Sequence, residues 1–153
     1  MRYEYIEPIV AATKKVLEQV TGGEVSSGDV GLVKGDDLDS DVSILISVKG
    51  DSEGCIIVSL DRATVTQVCV IMNGMFCDCT ALLEMDTIAE LSNMIAGNAT
   101  SSLNDLGYDF AVLPPSVVTQ TEIERKTAGI EIFRVPLSTP CGEIAVNVAL
   151  TTN

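Results

Sequence analysis

Apolar residues recur at helical spacing from Ile6 to Thr21. Ile6, Ile9, Val10, Thr13, Val16, Leu17 and Val20 lie on one stripe, and Gly22-Gly23 ends it. Val25 to Val33 then reads as a strand. Residues 34–41, with Asp36, Asp37, Asp39 and Asp41, form an acidic loop. A calcium loop needs oxygen ligands at alternate positions around a sharp Gly turn, with a distal bidentate acid. This segment fits that pattern poorly and reads as a solvated turn. Val42 to Val48 partly alternates, Lys49 to Gly54 turns, and Cys55 to Leu60 returns as a β-hairpin. Asp61 is placed to cap a helix over Arg62–Met72, which Asn73-Gly74 stops. Leu82 to Leu106 reads as a long helix ended by Gly107. After Pro114-Pro115, Val117 to Arg125 and Ile130 to Leu137 read as strands around Thr127-Ala128-Gly129, and Glu143 to Leu150 as the last strand.

Each half thus has a helix, then strands, then a hairpin whose return strand starts after a Gly. Gly54-Cys55-Ile56-Ile57-Val58-Ser59-Leu60 echoes Gly142-Glu143-Ile144-Ala145-Val146-Asn147-Val148, a weak internal duplication. Hairpins with few crossovers favour the α+β class, a largely antiparallel sheet with about three helices against one face. The 153 residues fit one domain, 1–153, with 46% hydrophobic residues and a core of Val, Ile, Leu, Ala and Met, since Trp is absent.

Charge narrows the function. Nine Lys and Arg stand against 22 Asp and Glu, a formal charge of −13. That excludes nucleic acid and anionic membrane surfaces as partners, both of which need a basic face. No Lys or Arg falls between Arg62 and Arg125, so a site in that stretch grips no phosphate with its own cations. No apolar run reaches the roughly 18 residues of a spanning helix, and the N-terminus lacks a signal-peptide core, so a cytoplasmic location is expected. The chain has no His, which removes imidazole bases, imidazole metal ligands and Ser-His-Asp chemistry together.

The long helix stands out. At about 100° per residue, Asp86, Glu90, Asn93, Gly97, Thr100, Ser101 and Asn104 share one face. Ile88, Leu91, Ile95, Ala99, Leu103 and Leu106 share the opposite, buried face. Exposed helix faces ordinarily carry Glu, Lys and Arg in i,i+4 pairs. This one carries small residues, amides and hydroxyls. Gly97 costs on the order of 1 kcal/mol relative to Ala in a helix interior, which makes sense where something approaches the backbone closely. Glu90 and Asn93 are three apart and point the same way, a charged acceptor beside a group that both donates and accepts. From the residues alone, an ordinary polar face remains an alternative.

Asp86-x-x-x-Glu90-x-x-Asn93, continuing as Met94-Ile95-Ala96-Gly97-Asn98, resembles the signature of the CheC/CheX/FliY phosphatases of bacterial chemotaxis. Pro114-Pro115 stands slightly early for the family's following Pro. CheC-type members carry two such motifs. Here Glu4 and Glu7 of the first helix have no Asn three residues on, and a single motif in a chain of this size looks like CheX. The resemblance implies a substrate, the aspartyl phosphate of a CheY-like response regulator. Asn93 would orient the attacking water and Glu90 would pair with the regulator's active-site Lys. Asp86, Gly97, Thr100 and Ser101 would contact the partner. It further implies Mg²⁺ supplied by the partner with no cofactor of the chain's own, and a homodimer joined through its sheets. Relatives in the flagellar switch act as docking or structural modules, so a non-catalytic receiver-docking role is the competing expectation.

Five Cys without a secretory signal argue against a disulfide framework. Cys77-x-Cys79 with Cys69 and no His matches zinc spacing poorly, leaving buried or half-exposed thiols, with a redox pair at Cys77 and Cys79 as the lesser option. Met72, Met75, Met85 and Met94 read as core fillers.

Overall fold

The computed structural model describes residues 3–151. Its first helix, α1, is Tyr3–Thr21. Two short strands, β1 (Ser26–Ser27) and β2 (Gly31–Val33), and one 3-10 turn at Gly35–Asp37 lead to the hairpin β3 (Val42–Gly50) and β4 (Gly54–Leu60). Helices α2 (Arg62–Asn73) and α3 (Ala81–Asp105) follow, then β5 (Phe110–Val112), β6 (Ser116–Val117), α4 (Gln120–Lys126) and the hairpin β7 (Ile132–Thr139) and β8 (Gly142–Leu150).

All pairings are antiparallel, in the order β1-β7-β8-β4-β3-β5, with β2 also on β7 and β6 also on β3. The two halves interlock. The short strands after α1 pair with the second hairpin, and those after α3 pair with the first. The return strands β4 and β8 join at the centre, Ile57 opposite Asn147. The duplication expected from the two Gly-led segments is thus built as a crosswise exchange of edges. Strand alternation fixes the two faces. Ile44, Ile46, Val58, Val135, Val146 and Val148 point into the main core beneath α1, α2 and α3, while Leu45, Ile57, Ile132 and Ala149 point the other way.

That second face is where the fold departs from expectation. The stretch expected as a strand over Val117–Arg125 is strand only through Val117, and α4 follows. Thr119 Oγ1 accepts from the Glu122 amide at 3.3 Å, and a Glu122 carboxylate oxygen accepts from the Thr119 amide at 3.3 Å. This reciprocal cap holds two N–H groups that a helix start otherwise leaves unpaired, and it outweighs the β-propensity of the segment. Ile123 then seats on Leu45, Ile57 and Ile132. Among the described residues the sheet therefore carries four helices rather than about three, and both faces are covered instead of one. Thr119→Ala is expected to cost about 1 kcal/mol, read as a lower urea midpoint with unchanged slope.

Smaller differences have similar causes. The strand expected over Val25–Val33 is interrupted at Gly28, whose amide bonds to Pro136 O at 2.8 Å, leaving β1 and β2. The acidic loop is pinned by Leu38, fully buried beneath it. Leu106 caps α3 and is exposed, not buried. Met72, Met85 and Met94 pack against the core as expected, but Met75 is exposed.

Candidate functional site

Helix α3 is fixed at both ends. Thr80 Oγ1 accepts from the Leu83 amide at 3.2 Å. One turn in, the buried Glu84 carboxylate pairs with Arg62 at 3.2 Å and accepts from Thr66 Oγ1 at 2.8 Å, binding α3 to α2. Asn73 Nδ2 donates to Thr87 Oγ1 at 2.9 Å across the same seam. At the far end the Asn104 side chain accepts from the Phe110 amide at 2.9 Å and donates to Phe110 O at 3.2 Å, clamping β5. Between these ends Ser92, Ala96 and Ala99 are buried against α1 and the sheet, and such small residues let the helices approach closely.

What remains outside is the polar face read from the sequence. Asp86, Glu90, Asn93, Gly97 and Ser101 are exposed, and Thr100 is half-buried with its hydroxyl bonded to Ala96 O at 2.7 Å. Among the described residues, neither the Glu90 nor the Asn93 side chain takes part in a hydrogen bond or ion pair. A carboxylate and an amide therefore project from a rigid helix with their bonding capacity unspent. A Cβ added at Gly97 meets nothing within 4 Å, so no internal contact requires a glycine there. Asn104 belongs to the scaffold rather than to the free set.

The first half carries no second copy of the pair. Tyr5, Ile9, Ala12, Thr13 and Val16 of α1 repeat the buried spacing of Ile88, Ser92, Ile95, Ala96 and Ala99 of α3. In that register Glu7 takes the place of Glu90 and Val10 that of Asn93, so the position that would hold the amide is aliphatic.

The face is an exposed helix surface. A cavity of about 720 Å³ lies between Leu32–Asp37 and Glu124–Glu131, and no residue of α3 lines it. Among the described residues, no group of three or more His, Cys, Asp and Glu is arranged to hold a metal ion. The Cys79 thiol, hydrogen-bonded to Cys69 and close to Cys77, is pushed up to about 12 and stays protonated near neutral pH. All five Cys are free thiols. No helix among the described residues is long and apolar enough to cross a membrane.

One feature of this face was missed in the sequence. Leu82 sits one turn before Asp86, on the same side, and is 74% exposed. Its spacing was the available signal, hidden because an apolar residue in the first turn reads as core.

The family model for chemotaxis phosphatase CheX matches residues 42–138. The CheY-P phosphatase CheX of Thermotoga maritima is 27% identical over 134 residues, covering 87% of this chain and 86% of that protein. The crystallised CheX-CheY-BeF3-Mg²⁺ complex of Borrelia burgdorferi contains a chain 29% identical to this one, with a TM-score of 0.77 and coverage of 99% and 100%. A CheC-like superfamily protein from Shewanella has a TM-score of 0.83 at 23% identity, with the same coverage, and shares the fold.

Proposed function

This chain belongs to the CheX family of chemotaxis phosphatases, and from that membership we propose that it hydrolyses the aspartyl phosphate of a CheY-like response regulator through Glu90 and Asn93. The observation that carries this reading is the pair itself, exposed and unengaged on a helix held at both ends. The sequence places the pair in the family's Asp-x-x-x-Glu-x-x-Asn pattern.

The chemistry follows from what the chain has and lacks. Water adds to phosphorus, the bond from phosphorus to the aspartyl oxygen breaks, and the products are a free carboxylate and inorganic phosphate. An acyl phosphate is already reactive, so the main requirement is a water held in line with the breaking bond. The Asn93 amide oxygen accepts a hydrogen bond from that water and fixes its approach. Glu90 pairs with the regulator's active-site Lys and sets the register of the two proteins. The regulator brings the cations, its Lys and its Mg²⁺, and this chain contributes no cofactor. A face without Lys or Arg suits that division, because a cation here would repel the partner's.

Asp86, Gly97, Thr100 and Ser101 line the approach. Gly97→Ala is expected to raise stability by up to about 1 kcal/mol, since alanine is the better helix former and its Cβ meets open space. Gly97→Leu should keep the fold but raise KM for phosphorylated regulator about tenfold or more, by holding the partner off the helix. Thermal melts and initial rates check the two halves of this expectation. The activity itself is read from phosphate release, which Glu90→Gln should suppress without altering the melt. The whole chain, 1–153, acts as one domain in the cytoplasm in this reading. The family resemblance adds a homodimer joined through sheet edges, a state that sedimentation velocity reads directly.

A further inference from the structure

The chain has three Phe. Phe110 and Phe133 are in the core, but Phe76 is 98% exposed. Met75 beside it is 78% exposed. Both sit in the segment that delivers the chain into α3, and ordered turns shape it. Gly74 N bonds to Val70 O at 2.8 Å, Cys77 N to Gly74 O at 3.0 Å and Thr80 N to Asp78 O at 2.9 Å. Six residues after Phe76, Leu82 opens the helix. At about 100° and 1.5 Å per residue, Leu82 lies about 20° from Asn93 around α3 and about 16 Å before it along the axis. Met75 and Phe76 thus stand in the connection that enters α3 at the end where Leu82 lies on the catalytic face. Acids stand close to these residues in the sequence at Asp78 and Asp86, and no Lys or Arg lies between Arg62 and Arg125.

The catalytic face alone makes a thin interface. Glu90, Asn93, Gly97 and Ser101 are small or polar, whereas stable protein interfaces bury about 800 Å² per partner around aromatic or aliphatic anchors. Toward the C-terminal end, the face continues with Thr100, Ser101 and Asn104, which offer no such anchor. At the N-terminal end, the connection entering the helix carries an aromatic ring that the fold itself does not use, on turns already ordered.

We propose that Phe76 and Leu82, with Met75, form a second docking anchor that seats the phosphorylated regulator on α3. This rests on the phosphatase reading of Glu90 and Asn93 and identifies what supplies affinity to it. The occupant is the regulator because Leu82 lies on the helix face that meets the regulator's phosphate and the connection carrying Met75 and Phe76 enters α3 at that same end, and because the acids Asp86 and Glu90 on that face match a partner whose site is edged by Lys and Mg²⁺. Binding strength and chemistry are then divided, with the anchor acting on affinity and the amide on turnover.

The test compares Phe76→Ser/Leu82→Ser with the wild type and with Asn93→Ala. The probe is a CheY-type receiver carrying beryllofluoride and Mg²⁺, titrated by fluorescence, alongside steady-state phosphate release from the phosphorylated receiver. The double variant is expected to weaken Kd and raise KM about tenfold or more with kcat retained. The substituted side chains are exposed, so the melt should not move. An unchanged Kd and KM in the double variant would overturn the anchor while leaving the phosphatase reading to the Asn93 arm. A shift from dimer to monomer in sedimentation, with receiver affinity intact, would also overturn it and reassign the patch to self-association. Loss of affinity in the double variant together with full activity in Asn93→Ala would keep the anchor and refute the catalytic assignment instead.

Discussion

Asn93→Ala is expected to lower turnover of the phosphorylated regulator by about 100-fold or more while leaving the protein folded and able to bind. The side chain is exposed and makes no hydrogen bond within the described residues, and alanine favours the helix, so the melt should hold or rise slightly. Its removal takes away only the group that orients water. KM, and affinity for a beryllofluoride-activated receiver, should therefore stay within about threefold, the pattern of an interaction made in the transition state rather than the ground state. Asn93→Asp separates geometry from charge. It keeps the shape but brings a second carboxylate next to Glu90 and toward the phosphoryl oxygens, and it should recover little activity. Single-turnover decay of the phosphorylated receiver measures both variants.

Gly54→Ala is expected to carry the largest stability loss, about 3 kcal/mol or more. Gly54 starts the return strand β4 with φ of +157°, a conformation that side chains rarely adopt, and pairs with Leu150 at the central seam of the sheet. A Cβ there would collide with the carbonyl of Ala149, which is backbone of β8 and cannot move without opening that seam. Its counterpart in the second half, Gly142, has φ of +130°, but its Cβ would meet the side chain of Thr64. Gly142→Ala should therefore cost less, because a side chain yields more readily than a strand. Urea unfolding of the two variants, compared at equal slope, checks both the size and the order of the losses.

Where periodicity and punctuation agreed, the sequence was a good guide. The stripe from Ile6 to Val20, the cap at Asp61 and the stop at Gly107 placed α1, α2 and α3 within a few residues. The polar face of α3 came out on the outside because a helical wheel needs only local geometry. Helix α4 was harder to see. Val117, Thr119, Thr121 and Ile123 alternate like a strand, although the Thr119–Glu122 spacing also matches a helix start. The interlocking edges could not have been read at all, since β1 and β5 are two or three residues long and their partners lie in the other half of the chain. Met75 and Phe76 were unreadable for a related reason. An apolar residue in a connection is buried or exposed according to tertiary packing, which local pattern does not report. The chemistry of Glu90 and Asn93 was legible only as a family pattern, because an exposed carboxylate and amide are by themselves an ordinary surface.

The most direct test is phosphate release from an excess of phosphorylated CheY-type receiver by a small amount of this protein. The expected result is multiple turnovers per chain, with decay accelerated in proportion to protein added and suppressed in Glu90→Gln and Asn93→Ala. Decay at the receiver's own rate, with tight binding demonstrated in the same solution, would contradict a phosphatase and leave a docking module in its place.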